Sequence, residues 1–330
     1  MIRTAISPLF AINIFENIKK IDLSITVLKG GLMFESKHGI PSFDFKNSRF
    51  SSTESFDEAI PDLKTWASPD NVDRLAYSNF GKIHHFDILD STNQYLLLAA
   101  RQGAKQGLVA WADEQSQGRG RKARHWIAPK GASLLVSLLF RPTNLDIPLF
   151  WFSALVAEAA AETSKDIYGI FPKFKWPNDL MIDGFKLGGI LTEIDWMGSL
   201  PSVVVGLGLN LNLDDQFLEA FPPQLRSEIT SIKQLNGKEN KVSIFLEEFL
   251  LTLDKKYSAL IDKSHFFLLK SLYRKNCSTL GSRVKIEMDD GEILEGIASD
   301  IDDEGRLLVE VGMCIKTVSS GEVFHLRLGE

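Results

Sequence analysis

From residue 82 onward, apolar and polar positions fall into short ordered blocks. KIHHFDILD (82–90) alternates with a period of two and predicts a strand. STNQYLLLAARQGA (91–104) then takes helical spacing, with Ser91 or Thr92 as its N-cap. GLVAWADEQ (107–115) is a β-type run, and ASLLVSLLFRP (132–142) is a continuous apolar strand. An apolar helix follows near 148–166. KFKWPNDLMIDGFKLGGILTEIDW (173–196) alternates strand and turn, with Asp183-Gly184 as a hairpin signal. SVVVGLGLNLN (202–212) reads as another buried strand and VSIFLEEFLLTLDKKYSALI (242–261) as an amphipathic helix. Short strands split by DDGE, DDEGR and SSGE fill 279–330, the pattern of a small all-β, barrel-like module.

The first seventy residues lack this order. Residues 1–40 have weak periodicity, and 41–70 are rich in Ser, Asp and Pro, a composition that predicts a linker or poorly ordered extension. Residues 1–70 carry eight Lys/Arg against nine Asp/Glu. A helix-turn-helix needs a basic face for phosphates and two amphipathic helices about a short turn, and neither is legible here. Met33 is an alternative internal start. The division expected is an atypical extension at 1–70, a mixed α+β domain at 71–275 and a β module at 276–330.

Composition narrows the class. The chain has 330 residues, 44% of them hydrophobic, and a net charge of −6. That background argues against a general polyanion binder. Two cysteines, Cys277 and Cys314, stand outside any CxxC or Cys/His grouping. This pattern fits a reducing cytoplasm better than a disulfide framework or a structural zinc site. No run reaches the roughly 18 apolar residues of a membrane span, and no signal peptide is legible.

Against the acidic background, GRGRKARHW (118–126) sets four cationic side chains and two glycines before a tryptophan. Guanidinium forks on Arg119, Arg121 and Arg124 match phosphate and carboxylate geometry. Gly118 and Gly120 allow the backbone to come close to an anion, and Trp126 offers a stacking face. The set suits a nucleotide triphosphate, although a solvated basic loop explains the composition equally well. There is no P-loop, and GLGLN (206–210) lies within a strand, so it is no dinucleotide fingerprint. In KWPNDLMIDGFKLGGIL, Lys186 precedes Gly188-Gly189, where a ligand meets no side chain. Read alone, Asp179 is as well a turn residue and Lys186 as well an exposed hairpin lysine.

In order and spacing, STN, EQSQGRGRKARHW, PKGASLLVSLLFRP, KWPNDLMIDGFKLGGIL and GLGLNLN resemble the biotin–protein ligases. The terminal LGSRVKI…SSGEVFHL resembles the SH3-like domain of the same family, so the likeness spans about 72–328. It implies an α+β fold: a central mixed sheet flanked by helices, class II synthetase-like, with a small C-terminal SH3-like β-barrel. It also implies two chemical steps. Biotin is activated by Mg²⁺-ATP to biotinyl-5′-AMP, and the biotinyl group then passes to a lysine of a biotin carboxyl carrier domain. Such chemistry runs on positioning and fixed cations without a protein nucleophile, which agrees with the absence of any Ser/His/Asp or Cys/His arrangement.

Carried across by position, the likeness places Ser91, Thr92 and Asn93 at the biotin ureido end. Gln115 and the backbone of Arg119, Gly120 and Arg121 would close over biotin and adenylate. Arg121 and Lys186 become the catalytic cations, Arg121 at the α-phosphate and Lys186 between that phosphate and the biotin carboxylate. Loss of Arg121 should also leak the intermediate. Gly188 and Gly189 would make room for biotin's rings. Trp126 would pack on the adenine side, and Arg124, Lys175 and Asn178 would complete the ATP site. Asp179 and Asn210 would bear on pyrophosphate and Mg²⁺, an ion carried mainly by ATP. His125 is read as surface.

Two departures stand out. Ala123 occupies a position where many relatives have glycine, and alanine at positive φ would cost about 1 kcal/mol. The N-terminus does not resemble the winged helix of bifunctional relatives, so no nucleic-acid partner is expected. The rival readings are a lipoate–protein ligase, a bifunctional ligase/repressor, and a nucleic-acid binder that uses the basic loop. A homodimer through the sheet edge follows from the family's habit.

Overall fold

The computed structural model describes residues 23–28, 31–36, 64–65, 75, 78–143, 146–196, 199–219, 226, 228–261, 263–288 and 291–325. The chain divides into two units, Met1–Ala59 and Ile60–Glu330. In the first, β1 (Leu23–Leu28) pairs antiparallel with β2 (Gly31–Ser36). Apart from these strands and β3 (Lys64–Thr65), the extension expected over 1–70 lies outside the described residues.

In the second unit each periodic block yields its element. KIHHF forms β4 (Lys82–Phe86). Ser91 caps α1 (Thr92–Arg101), its hydroxyl accepting from the Gln94 N–H, which fills one of the orphan donors of the first turn. β5 (Leu108–Ala112) and β6 (Ser133–Phe140) are buried along their whole length. Helix α2 (Phe150–Tyr168) ends on left-handed Gly169, a conformation that costs glycine little. β7 (Lys173–Lys175), β8 (Asp179–Ile182), β9 (Phe185–Asp195) and β10 (Ser202–Asn210) follow. Asp183 and Gly184 both take positive φ in the β8–β9 turn. Two short helices, α3 (Asp215–Leu218) and α4 (Ile232–Asn236), precede α5 (Val242–Ile261).

A further helix, α6 (Lys263–Asn276), stands where no helix was expected. Its sequence, KSHFFLLKSLYRKN, interrupts the apolar positions with lysines and an arginine. What holds it is packing: Tyr273 is buried and stacks on Phe174 with ring centroids 5.0 Å apart.

The eight strands order as β3-β4-β5-β6-β10-β9-β8-β7. Only β4 and β5 run parallel, so the sheet is mixed. Alternation along β6 separates its two faces. Phe140 meets Phe152 of α2 and Tyr257 of α5, with centroids 5.2 and 5.5 Å away. On the other face, Ser137 lies 2.7 Å from Thr92 Oγ1 and 2.6 Å from Asn93 Oδ1 at the start of α1. The α2/α5 face carries the apolar core, and the α1 face carries polar groups at its centre.

The tail forms a second, five-stranded sheet, ordered β14-β13-β12-β11-β15. Its strands are β11 (Arg283–Glu287), β12 (Ile293–Ile301), β13 (Leu307–Val311), β14 (Cys314–Val318) and β15 (Glu322–His325), all antiparallel. It docks through two indoles, Trp151 of α2 and Trp176 of the β7–β8 turn. Trp151 Nε1 donates to the Asp303 carbonyl at 2.6 Å, and Trp176 Nε1 to the Gly305 carbonyl at 2.9 Å.

Candidate active site

A cavity of about 1140 Å³ opens on the α1 side of the large sheet. Three stretches far apart in sequence wall it: the N-terminus of α1, the arginine loop, and the β7–β9 hairpins. The tip of the C-terminal sheet, residues 321–325, closes one side.

The arginine loop is a narrow hairpin. Trp126 N–H donates to the Gly118 carbonyl at 2.9 Å and Gly120 N–H to the Arg124 carbonyl at 2.7 Å. Arg124 N–H closes the tip on the Arg121 carbonyl at 3.1 Å. The two residues between, Lys122 and Ala123, have φ of 52° and 57°. Consecutive left-handed residues are the type I′ pattern, for which glycine and asparagine are the favoured residues. Ala123 therefore sits at a positive φ.

Each arginine of the loop has a different neighbour. Arg119 Nη1 lies 3.1 Å from Glu193 Oε1 on β9. Arg121 Nη1 approaches Asn178 Oδ1 and the Gly321 carbonyl, each at 3.4 Å. Arg124 pairs with the Glu322 carboxylate of the C-terminal sheet. His125 is exposed and bridges back to Arg119.

Trp126 turns inward onto the sheet. A Cβ at Gly208 would stand 2.5 Å from Trp126 Cε2, and one at Gly189 would stand 3.1 Å from Cζ3. Real carbon contacts do not close to 2.5 Å, so the indole needs glycine at 208. Its buried Nε1 has no hydrogen-bond partner among the described residues. Gly189 and Gly208 face each other in the β9–β10 register. Gly188 belongs to the other face: a Cβ there would meet Leu209, Leu180 and the Gly208 carbonyl, and it does not line the cavity. Neighbouring residues of a strand point oppositely, so the two glycines expected together at biotin's rings are separated by the sheet. Gly208, read from sequence only as part of a buried strand, is the cavity glycine opposite Gly189.

Lys186, next to Gly189, carries its Nζ 2.6 Å from Asp179 Oδ1 and 5.8 Å from the Trp126 ring centroid. Lys175 and Asn178 line the same wall. Asn178 is fixed by its Nδ2, which donates to the Ile190 carbonyl at 2.9 Å. Asn210 is buried with both ends of its amide engaged: Oδ1 accepts from Ser133 Oγ at 3.2 Å, and Nδ2 donates to the Thr230 carbonyl at 3.1 Å. It supports the wall more than it offers a free donor. No group of three His, Cys, Asp or Glu able to hold a metal exists among the described residues. Asp179 shares the cavity lining with three other carboxylates, Asp183, Glu228 and Glu322.

At the α1 end, Gln115 Oε1 accepts from both the Thr92 N–H and the Thr92 hydroxyl, at 2.8 and 3.0 Å. Asn93 Nδ2 donates to the Leu191 carbonyl at 3.0 Å and to Glu193 Oε2 at 2.9 Å. Ser91, Thr92 and Asn93 are thus held at the cavity's inner end. Sequence reasoning missed Ser137, Glu193, and the 321–325 tip. Partial burial, and then the Lys175 ammonium, hold the His325 imidazole of that tip below its usual range. SSGE read only as a turn signal, and nothing in it indicated a wall of the site.

Comparison with known proteins bears on this arrangement. Residues 85–210 match the biotin/lipoate A/B protein ligase family, and residues 279–326 match the biotin protein ligase C terminal domain. A biotin–[acetyl-CoA-carboxylase] ligase of Mycobacterium tuberculosis is 33% identical over 242 residues, 72% of this chain and 86% of its own. The bifunctional ligase/repressor BirA of Bacillus subtilis is 33% identical over 245 residues, 73% of each chain. A solved biotin protein ligase from Aquifex aeolicus, in complex with biotin and ATP, has the same fold at a TM-score of 0.63 and 24% identity. It covers 74% of this chain and 99% of its own.

Proposed function

The chain belongs to the biotin protein ligases, and from that premise we propose that it activates biotin with ATP and transfers it to a carrier-protein lysine. The lipoate reading loses support, since the similar proteins named above act in biotin chemistry. In the first step a carboxylate oxygen of biotin attacks the α-phosphorus of ATP. The bond from that phosphorus to the bridging oxygen breaks, and pyrophosphate leaves. In the second step a lysine ε-amine of the acceptor attacks the biotinyl carbonyl, AMP departs, and the amine loses its proton.

Both first-step reactants are anions, so the protein's task is to hold them together and spread the developing charge. The convergence of Lys186, Arg121 and Trp126 on one glycine-floored cavity is the observation that carries the reading. Lys186 stands between the biotin carboxylate and the α-phosphate. Arg121 takes the α-phosphate, and Arg119, Arg124 and Lys175 add positive charge along the nucleotide. Asn178, held by Ile190, braces Arg121. Asp179 restrains Lys186 and would be a protein donor for ATP-borne Mg²⁺, which would neutralise phosphate charge. Ser91, Thr92, Asn93 and Gln115 take the ureido end, and Gly120 lets the loop backbone approach.

The acceptor is a biotin carboxyl carrier domain. No helix among the described residues is long and apolar enough to cross a membrane. We read the protein as cytoplasmic, as a homodimer through the sheet edge, and as lacking operator binding. The test is incubation with biotin, Mg²⁺-ATP and a carrier domain, followed by detection of covalent biotin. Labelled carrier from the parent, with labelling lost in Lys186→Ala and indiscriminate in Arg121→Ala, is the expected result. Absence of both adenylate and label refutes it.

A further inference from the structure

Glu193 does not line the cavity, yet each of its two oxygens is bound to a residue that does. Oε2 accepts from Asn93 Nδ2 at 2.9 Å, and Oε1 lies 3.1 Å from Arg119 Nη1. One partner belongs to the start of α1, the other to the arginine loop. The carboxylate side chain is only 20% exposed, whereas that of Arg119 is 49% exposed.

A carboxylate can only accept, so it decides which way the Asn93 amide faces. The NH₂ group must turn to Glu193 and to the Leu191 carbonyl, and both of its hydrogens are then used. Asn93 Oδ1 is thereby directed to the other side, over Gly206 and beside Ser137 Oγ at 2.6 Å. A ureido N–H entering the cavity needs an acceptor of this kind. The same carboxylate anchors the loop at its first arginine, while Gln115 anchors the loop's root at Thr92.

We propose that Glu193 is a positioning residue that joins ureido recognition by Asn93 to closure of the arginine loop through Arg119. The proposal rests on the ligase reading above. A ligand that firms Asn93 firms Glu193, and the loop's anchor with it. Conversely, a loop that has swung away leaves Asn93 held on one side by a carboxylate without its cation.

The experiment measures biotin-dependent pyrophosphate release and the escape of biotinyl-adenylate for the parent, Glu193→Ala, Arg119→Ala, the double variant and Glu193→Gln. Each alanine variant should raise the KM for biotin about tenfold, with a smaller change in kcat. The double variant should be no worse than the more damaging single one, since both remove one linkage. Glu193→Gln keeps an acceptor for Asn93 but loses the charge facing Arg119. It should therefore raise adenylate escape more than KM. Additive effects, near a hundredfold in KM for the double variant, would overturn the coupling. So would a Glu193→Gln variant with parental adenylate escape. A parent that releases no pyrophosphate with biotin overturns the ligase reading and the proposal together; an active parent with additive variants overturns the coupling alone.

Discussion

The Lys186 ammonium on β9 lies 2.6 Å from the Asp179 carboxylate on β8. A lysine proposed to meet two anions is thus held by a protein anion within the cavity lining. The pair keeps the long side chain in place before substrate arrives, which lowers the ordering cost of binding.

Lys186→Ala should reduce pyrophosphate release at saturating biotin and ATP by about 10²–10³-fold, the usual cost of removing one preorganised charge donor. Asp179→Asn should cost less in rate and appear chiefly as a raised KM for Mg²⁺-ATP. Steady-state kinetics of both variants check this. Equal losses in the two would mean that the pair acts as one unit.

Ala123 sits at φ 57° in the loop tip. A left-handed non-glycine residue costs about 1 kcal/mol or more, and Ala123→Gly removes that cost. Biotin should bind up to about fivefold more tightly, about 1 kcal/mol at room temperature, if the loop shape seen here is the binding shape. Titration calorimetry reads the change, and weaker binding would show that the loop tip rearranges on the ligand.

Gly208→Ala puts a methyl group where the Trp126 indole lies, at 2.5 Å from Cε2. Because Gly208 is in the middle of β10, the sheet holds the backbone and the indole must leave. The expected outcome is a rise in the KM for ATP of about fivefold or more, the worth of one aromatic stacking contact at the lower end. Thermal unfolding should change little. A parental KM would place adenine away from Trp126.

The extent to which these features could be read in the sequence follows from their range. Period-two alternation, the Ser91 cap and the Asp183-Gly184 turn are local, and each appears where the pattern puts it. The arginine loop shares a cavity with KWPND, Lys186 and Gly189 because the sheet order brings β9 beside β10, and that pairing is not written in any one segment. Gly188, set at biotin's rings by the resemblance, faces the other side of the sheet because neighbouring strand residues alternate. Glu193 and Ser137 were missed because a single polar residue in a strand carries no signal until its neighbours across the sheet are known. Helix α6 was missed because its apolar stripe depends on contacts with α2 and β7.

Glu158 offers a pH test remote from the site. It is 3% exposed on α2, and burial, partly offset by Lys256 and Asn276, raises its carboxyl above the ordinary value of 4.5. A raised carboxyl binds protons better in the folded protein, so its favourable contribution is present below about pH 4.5 and is lost as pH rises through the folded value. Glu158→Gln cannot ionise. Relative to the parent it should gain thermal stability as pH rises above 4.5, the advantage growing until pH has passed the raised folded value. Melting curves from pH 4 to pH 8 check the sign, and a constant difference would exclude titration of Glu158.

The contacts of Arg124 with Glu322 and of Arg121 with the Gly321 carbonyl span 198 and 200 positions of chain. On the ribosome the loop therefore emerges long before the strand that covers it. At elongation rates of about 5–20 residues per second, the interval is about ten seconds or more. During that time a half-made chain has its cations but lacks a wall of the cavity. An activated acyl phosphate held in such an open site would be exposed to water and to stray amines. The cover over the arginine loop is therefore among the last parts of the site to be made.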